Sequence, residues 1–591
     1  MKMMIRLLAL LLIAAPLQAA PPVAPEIARL LREQGLQGAV WTTLDSQGAA
    51  GVRDARTGAP MRVDQRVHVG SIAKTVLAVG ILRLVTERRL LLDAPVATLL
   101  PGIRLANPWE STDPVRIRHL LDHTAGLDDV HLWHVFSLRA DAQTPLAAAF
   151  PSGSRVLRVR QRPGTRFSYS NLSYTLLGMV IEAVTGQPYE IYLDAALLAP
   201  LGMHDSTFAF LTQATDARLA MGHFEDGVTH SAVASFVRPA GQFTTTVADM
   251  GRFARFLMGD GRLAGQPFVD AALLARMGEP AGTEAARAGL DVGYGLGLRR
   301  LERHGVVAKC HGGSTVGFKA MLCLFPATQQ AFFIAINADS ETADYARFDA
   351  LLIDSFTPAL PRSGAVPVSS FAAERWTGWY VPAPNRFDSF RFLDTVFNAV
   401  HISQDGPLLK LASLGSVPLM LHHAGGTLFR APDKQRASHA LLVSAEGSRI
   451  LTTGTQSHEQ VPLAYLLALW SSVAAGMLGL LWIVIASGLQ LATRRMTRRD
   501  PLLPPFAGAL ALLLPLPFFY TQSFMQLGDL TLASGLLAFV TAALPVTMLV
   551  GLAMALRSGD IRRTAVSAML AVLQLTLVVA WWGLLPLRLW V

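Results

Sequence analysis

Ser71 and Lys74 stand three residues apart in His68-Val69-Gly70-Ser71-Ile72-Ala73-Lys74-Thr75, the only Ser-x-x-Lys in the chain. On a helix that spacing puts both side chains on one face. Ser71 would lie at the helix N-terminus, where unpaired N–H groups and the helix dipole favour developing negative charge. A serine is a poor nucleophile until a base takes its proton, and an amine one turn away serves if burial lowers its pKa. The same two residues also suit a plain cap and a snorkelling lysine, so the chemical reading needs partners. Two clusters offer them. Tyr169-x-Asn171, the only Tyr-x-Asn, sits in the polar run Arg166–Asn171 just before an apolar stretch, and a phenol near an ammonium has its pKa depressed and shuttles protons. His311-Gly312-Gly313-Ser314 follows the strand-like run Val306–Cys310. Paired glycines let a substrate backbone lie close to a strand edge, and the Ser314 N–H could join that of Ser71 as an oxyanion hole. Alone, the first of these clusters is also a capped loop and the second a glycine-rich turn.

Several elements must position these groups. Val76–Val85 is hydrophobic all round, which predicts a helix inside a core. Leu172–Val184 reads as a second helix and Ala331–Ile336 as a buried strand. Thr246-Val247-Ala248-Asp249 reads as a capped helix start. Together these predict one mixed α/β domain over residues 20–360, opening with a short leader. A Pro- and Gly-containing linker occupies 361–370, and residues 371–457 have short apolar runs split by turn signals at Asp405-Gly406, Gly425-Gly426 and Glu446-Gly447. That pattern predicts a small antiparallel β domain.

The 591 residues are 51% hydrophobic and only 16% charged, which points to a membrane portion. Residues 1–19 read as a signal peptide: Lys2 and Arg6 precede an apolar centre from Leu7 to Ala15. From 461 to 588 the chain reads as four transmembrane spans, Val461–Leu491, Leu502–Tyr520, Leu530–Leu556 and Thr564–Leu585. Arginines 494, 495, 498 and 499 fill the first connection, and Arg557, Arg562 and Arg563 the third, while Thr521–Asp529 has no Lys or Arg. The positive-inside rule therefore puts residues 20–460 outside the cytoplasm, on the same side as the signal peptide does. The interiors of these spans hold no Asp, Glu, Lys, Arg or His, which favours an anchor or partner-binding module over a transporter and leaves any protein partner unnamed. A net charge of +9 without a basic, aromatic-interleaved stripe argues against nucleic acid.

Taken in order, Ser71-x-x-Lys74, Tyr169-x-Asn171 and His311-x-Gly313 resemble the serine β-lactamase-like hydrolases, in particular the class C β-lactamase, D-alanyl-D-alanine carboxypeptidase and esterase group (peptidase family S12). Lesser landmarks agree. His119-Leu120-Leu121-Asp122-His123-Thr124-Ala125-Gly126-Leu127 is similar to that group's His-Leu-Leu-x-His-Thr-Ser-Gly-Leu segment, and Leu92-Asp93-Ala94-Pro95-Val96, Tyr294–Leu298 and Asn337 also fit. Pro239-Ala240-Gly241-Gln242 resembles a Pro-Ala-Gly-Gly stretch, with Gln242 in place of a glycine. The resemblance covers residues 26–355.

It implies a two-step acyl transfer without metal or cofactor. Ser71 is the nucleophile, Lys74 its base, Tyr169 a proton shuttle, and Asn171 an orienting group. The Ser71 and Ser314 amides form the oxyanion hole, and His311 and Gly313 lie on the substrate side. His119 and His123, four apart, invite a zinc reading, but a third ligand is not evident. His311 stands where many penicillin-recognising relatives have Lys; with an unperturbed pKa near roughly 6.5 it is mostly uncharged at neutral pH, which weakens binding of a substrate carboxylate. The reading is a membrane-anchored extracytoplasmic hydrolase of a small peptide, amide or ester, in the cytoplasmic membrane. A β-lactamase or penicillin-binding protein is one alternative, and a sensor or scaffold for β-lactams or wall fragments is another. Cys310 and Cys323 flank a turn in a disulfide-permissive compartment, and a bridge and two free thiols both stay open.

Overall fold

A computed structural model describes residues 23–356, 374–558 and 562–591. The expected signal peptide (1–19) and linker (361–370) lie outside them.

The N-terminal region is built on one antiparallel sheet. Its strands are β1 (Gly38–Thr43), β2 (Gln47–Asp54), β3 (Ala59–Pro60), β4 (Gly293–Gly295), β5 (Leu298–Arg303), β6 (Val306–Thr315), β7 (Phe318–Phe325) and β8 (Gln330–Ile336). Their spatial order is β4-β5-β6-β7-β8-β1-β2-β3, so the last strand pairs with the first and a mainly helical insertion, residues 61–292, hangs between β3 and β4. Every residue of β8 is buried, as expected of a central strand covered on both faces. Helices α1 (Val23–Glu33) and α5 (Ala346–Asp354) cover one face, where Ile27, Trp41, Ile334 and Phe348 pack together. The insertion covers the other with α2 (Ala73–Thr86), α3 (Asn171–Thr185) and α4 (Val247–Leu257). Residues Ala73–Leu82 of α2 are all buried, the outcome of an apolar run with no polar stripe. Thr246 caps α4, its side chain accepting from the Asp249 N–H.

A second domain is a closed antiparallel barrel of eight strands: β9 (Gly378–Pro382), β10 (Val400–Asp405), β11 (Leu408–Ser413), β12 (Leu419–Gly425), β13 (Leu428–Arg430), β14 (His439–Val443), β15 (Arg449–Thr452) and β16 (Ser457–Val461). The three turn signals read from sequence form the β10–β11, β12–β13 and β14–β15 hairpins. Pairing of β16 with β9 closes the barrel, so the domain runs past residue 457 to Val461. Helix α6 (Arg391–Phe397) is inserted between β9 and β10.

One residue, Pro462, separates the barrel from α7 (Leu463–Ala492), the first of four helices long and apolar enough to span a bilayer. The second is broken into α8 (Leu503–Ala511) and α9 (Leu516–Thr521), since Pro515 cannot continue the hydrogen-bond ladder. The third is α10 (Leu532–Ser558). The fourth, α11 (Arg563–Trp581), stops short of the expected Leu585 because Gly583 turns left-handed at φ +78°. Small residues bring α7 onto α11: a Cβ on Gly479 would lie 2.7 Å from the Ala568 carbonyl oxygen.

Candidate active site

Ser71 sits in a tight 3-10 turn, Gly70–Ile72, that runs straight into α2. Gly70 adopts φ +51°, a conformation that costs glycine little. The buried helix holds Lys74 with no exposed surface, and its Nζ lies 2.9 Å from Ser71 Oγ, 2.7 Å from Asn171 Oδ1 and 2.6 Å from the Ala240 carbonyl oxygen. Burial holds the Lys74 pKa well below its ordinary 10.5; nearby Asp129 opposes the shift and Arg386 adds to it. A neutral amine has two N–H bonds and one lone pair. With the N–H groups given to Asn171 and Ala240, the lone pair is left for the Ser71 hydroxyl proton.

Tyr169 donates its hydroxyl to Ser71 Oγ at 2.9 Å. Its pKa is not depressed, as expected from an adjacent ammonium, but raised: burial is the largest cause, and Asp129 raises it further while Ser71 and Arg386 lower it. The phenol therefore rests protonated as a donor to Ser71 Oγ, while burial favours the neutral form of the Lys74 amine beside it. The Tyr169 ring is set by His123, whose ring centroid lies 4.3 Å away and whose Nδ1 accepts the Ser170 N–H at 3.1 Å. His119 is occupied too, with Nδ1 accepting the Arg116 N–H at 3.2 Å. Both histidines thus hold loops in place.

Asn171 is the first residue of α3, and Asp129 fixes it by accepting from both its main-chain N–H and its Nδ2, each at 2.8 Å. This leaves Asn171 Oδ1 facing Lys74.

The His311–Ser314 cluster lies inside β6, not past its end, and the turn comes later, at Val316-Gly317. Pairing of β5 with β6 ends at Cys310, whereas β7 pairs as far as Thr315, so residues 311–315 present one unpaired edge to the Ser71 turn. Cys310 and Cys323 are directly opposed with Cα atoms 4.1 Å apart and form a disulfide. That short spacing marks a non-hydrogen-bonded pair, and by the alternation of antiparallel strands Ser314 belongs to the same set, its N–H directed at the free edge. The approach is close: a Cβ on Gly313 would sit 1.8 Å from the Val69 carbonyl oxygen, and one on Gly70 would sit 2.7 Å from the Ser314 nitrogen. Only glycine fits at both places. His311 is buried, its Nε2 3.0 Å from the Tyr294 hydroxyl, and burial, the largest cause, pushes its pKa down to about 3. It is neutral at physiological pH. The expected site residues Ser71, Tyr169, Asn171, His311, Gly313 and Ser314 all line one cleft, with Lys74 beneath its floor.

A family model described as Beta-lactamase matches residues 23–354. The chain belongs to the beta-lactamase family. It is 30% identical over 304 residues to penicillin-binding protein 4 of Amycolatopsis lactamdurans, covering 50% of this chain and 78% of that one. It is 34% identical over 204 residues to the esterase EstB of Burkholderia gladioli, covering 30% of this chain and about half, 48%, of the esterase. A penicillin-binding protein homologue of known structure from Pyrococcus abyssi is similar over 74% of this chain and 98% of its own, at 21% identity and a TM-score of 0.48. The match places this protein among beta-lactamase-fold serine hydrolases, joined here to a β-barrel and four apolar helices.

Three groups at the site of this beta-lactamase-family protein were not singled out from sequence. Asp129, fully buried, follows the His119–Leu127 landmark by two residues, a position that carries no signal of its own. The Ala240 carbonyl lies in the Pro239-Ala240-Gly241 stretch, and main-chain oxygens leave no trace in residue type. Arg386 comes from the barrel, after β9. Its Nε donates to Asp129 Oδ2 at 2.7 Å, and its guanidinium lies over the Tyr169 ring, 4.6 Å from the centroid. Nothing local marks it, because its place depends on how the barrel docks.

Proposed function

We propose that the protein is a membrane-anchored serine hydrolase, acting outside the cytoplasm through an acyl-Ser71 intermediate on a small amide, peptide or ester. The observation that carries the reading is the Lys74 amine, buried, 2.9 Å from Ser71 Oγ and with its other two directions filled by acceptors. Lys74 takes the Ser71 proton as Oγ attacks the carbonyl carbon. The oxyanion sits between the Ser71 and Ser314 amides. The C–N or C–O bond breaks as Tyr169 passes its proton to the leaving group and is resupplied from Lys74 through the hydroxyl network. A water then attacks the acyl-enzyme with the same groups in reverse, releasing the acid.

The neutral His311 argues against a β-lactam or D-alanyl-D-alanine carboxylate held by a cation at that position. Two cations line the cleft beside these groups, Arg386 over the Tyr169 ring and Lys319, whose Nζ donates to Ser314 Oγ at 3.0 Å, and both suit a peptide or ester that carries acceptors beyond its scissile bond. Full-length protein in detergent, incubated with a fluorophosphonate, should acquire one adduct on Ser71, and Ser71→Ala should acquire none. Labelling of Ser71→Ala at the wild-type rate would remove the proposal.

A further inference from the structure

One stretch of the cleft lining is rich in apolar side chains and is completed from the membrane region. Phe136, Phe210, Phe224 and Val233 line it, together with Phe524, which lies in the connection between the second and third spans. Phe524 packs against Phe224 with ring centroids 5.3 Å apart and against His230 at 5.3 Å. The connection is fixed in place. Gly528 donates its N–H to the Phe136 carbonyl at 2.7 Å, and a Cβ on Gly528 would lie 2.2 Å from Trp133 Cα. Asp529, largely buried, accepts from the Leu138 N–H at 3.0 Å, from Arg139 Nε at 3.1 Å and from the Ser137 hydroxyl.

The neighbouring rim is tied to the membrane helices as well. Phe387, Asp394 and Asn398 line the cleft, and α6 lies across the outer ends of α7 and α11. Trp470 Nε1 donates to the Val396 carbonyl at 2.8 Å, and Trp582 meets Phe392 with centroids 5.5 Å apart. Phe390, Leu393 and Phe397, around the same helix, remain exposed. Trp581 and Tyr520, each about nine-tenths exposed at the ends of the fourth and second spans, mark the same level. Aromatic side chains at span ends sit at the headgroup layer, and exposed apolar residues beside them sink into it. Two rim segments thus stand at the bilayer surface, and the cleft that contains Ser71 runs between them, with a volume of about 1560 Å³.

From this we infer that the substrate is taken from the outer leaflet: an amphiphilic ester or amide whose acyl half carries a hydrocarbon chain seated along Phe136, Phe224 and Phe524. The inference rests on the proposed Ser71 hydrolase. The acyl half is the part that stays on the enzyme between the two steps, so an apolar wall continuous with the bilayer retains it while the leaving group departs into water. The Ser71 Oγ–acyl bond forms as the substrate C–O or C–N bond breaks. The leaving alcohol or amine takes one proton, and water supplies the oxygen and hydrogen that release a fatty acid.

Full-length protein in vesicles of phosphatidylcholine and phosphatidylglycerol (7:3) is given p-nitrophenyl acetate or p-nitrophenyl tetradecanoate, with the rate dependent on Ser71 taken in each case. The tetradecanoate should be turned over at least tenfold better in kcat/KM. Phe524→Ala should lower the tetradecanoate-to-acetate ratio at least fivefold, and Phe524→Leu should restore most of it with an unchanged unfolding temperature. Ser71-dependent acetate hydrolysis with a ratio near one, or a ratio that ignores Phe524, overturns the inference and leaves the hydrolase standing. Hydrolysis of neither ester, with no adduct on Ser71, overturns both.

Discussion

In the proposed mechanism Lys74 is useful as a base only while its amine is neutral, and burial favours that form by holding its pKa well below the ordinary 10.5. The same arrangement has a thermodynamic signature. The folded pKa lies below the unfolded one, so between the two the unfolded chain carries a proton that the folded chain lacks, and stability rises with pH across that window. The contribution has a slope of about 1.4 kcal/mol per pH unit for one whole proton. Lys74→Met should abolish acylation and flatten that part of the stability profile up to the lysine's ordinary value of 10.5, which thermal unfolding at a series of pH values reads directly. Tyr169 offers a separate test. Tyr169→Phe keeps the ring beside His123 but removes the hydroxyl donated to Ser71. It should leave the fold intact and slow both chemical steps by about 10²-fold or more, measured as burst and steady-state rates on an activated ester. The types and spacing of Ser71, Lys74, Tyr169 and Asn171 were legible before the fold was known. The direction of the Tyr169 shift was not, since it depends on how much protein covers the phenol.

At the scale of elements, the site is a meeting of three pieces: the turn before α2, the loop before α3, and the free edge of β6. Their fit is tightest where Gly313 meets Val69. Gly313→Ala puts a methyl group 1.8 Å from a carbonyl oxygen, so β6 must withdraw from the Ser71 turn. Stability should fall by about 2 kcal/mol and acylation by at least tenfold, seen in denaturant titration and adduct formation. The glycine pair was visible in the sequence but suggested the end of the strand. It lies within the strand because pairing with β7 continues on one side while the missing side chains admit the turn on the other. The barrel loop adds Arg386. Its positive charge lowers the Lys74 pKa, so Arg386→Ala should let that pKa rise and move the acid limb of the kcat/KM profile to higher pH. A profile that does not move would mean that Arg386 acts only on substrate. Neither Arg386 nor Asp129 could be placed from sequence, because each joins the site through packing between segments far apart in the chain.

At the scale of the molecule, a hydrolase domain, a barrel and four helices share contacts close to one cleft. The four spans and three hairpin turns of the barrel were legible because apolar length and Gly-containing turns are local signals. The break at Pro515 was not, since Pro545 lies inside α10 without ending it and a proline alone does not tell the two cases apart; nor was the docking of Phe524 and Asp529 against residues 133–139, which follows from assembly. The proposed orientation puts Thr497 inside and Gln522 outside. Cys310 and Cys323 are already paired, so in intact cells an impermeant maleimide should label Gln522→Cys and spare Thr497→Cys. The reverse pattern would place the cleft in the cytoplasm. The most direct test of the central claim is the intact mass of the full-length protein, followed by peptide mapping, after exposure to an activated ester. Wild type should carry a transient acyl group on Ser71, Tyr169→Phe should hold it for longer, and Lys74→Met and Ser71→Ala should carry none. An acyl group that maps to another residue, or that forms equally on Ser71→Ala, would contradict the account.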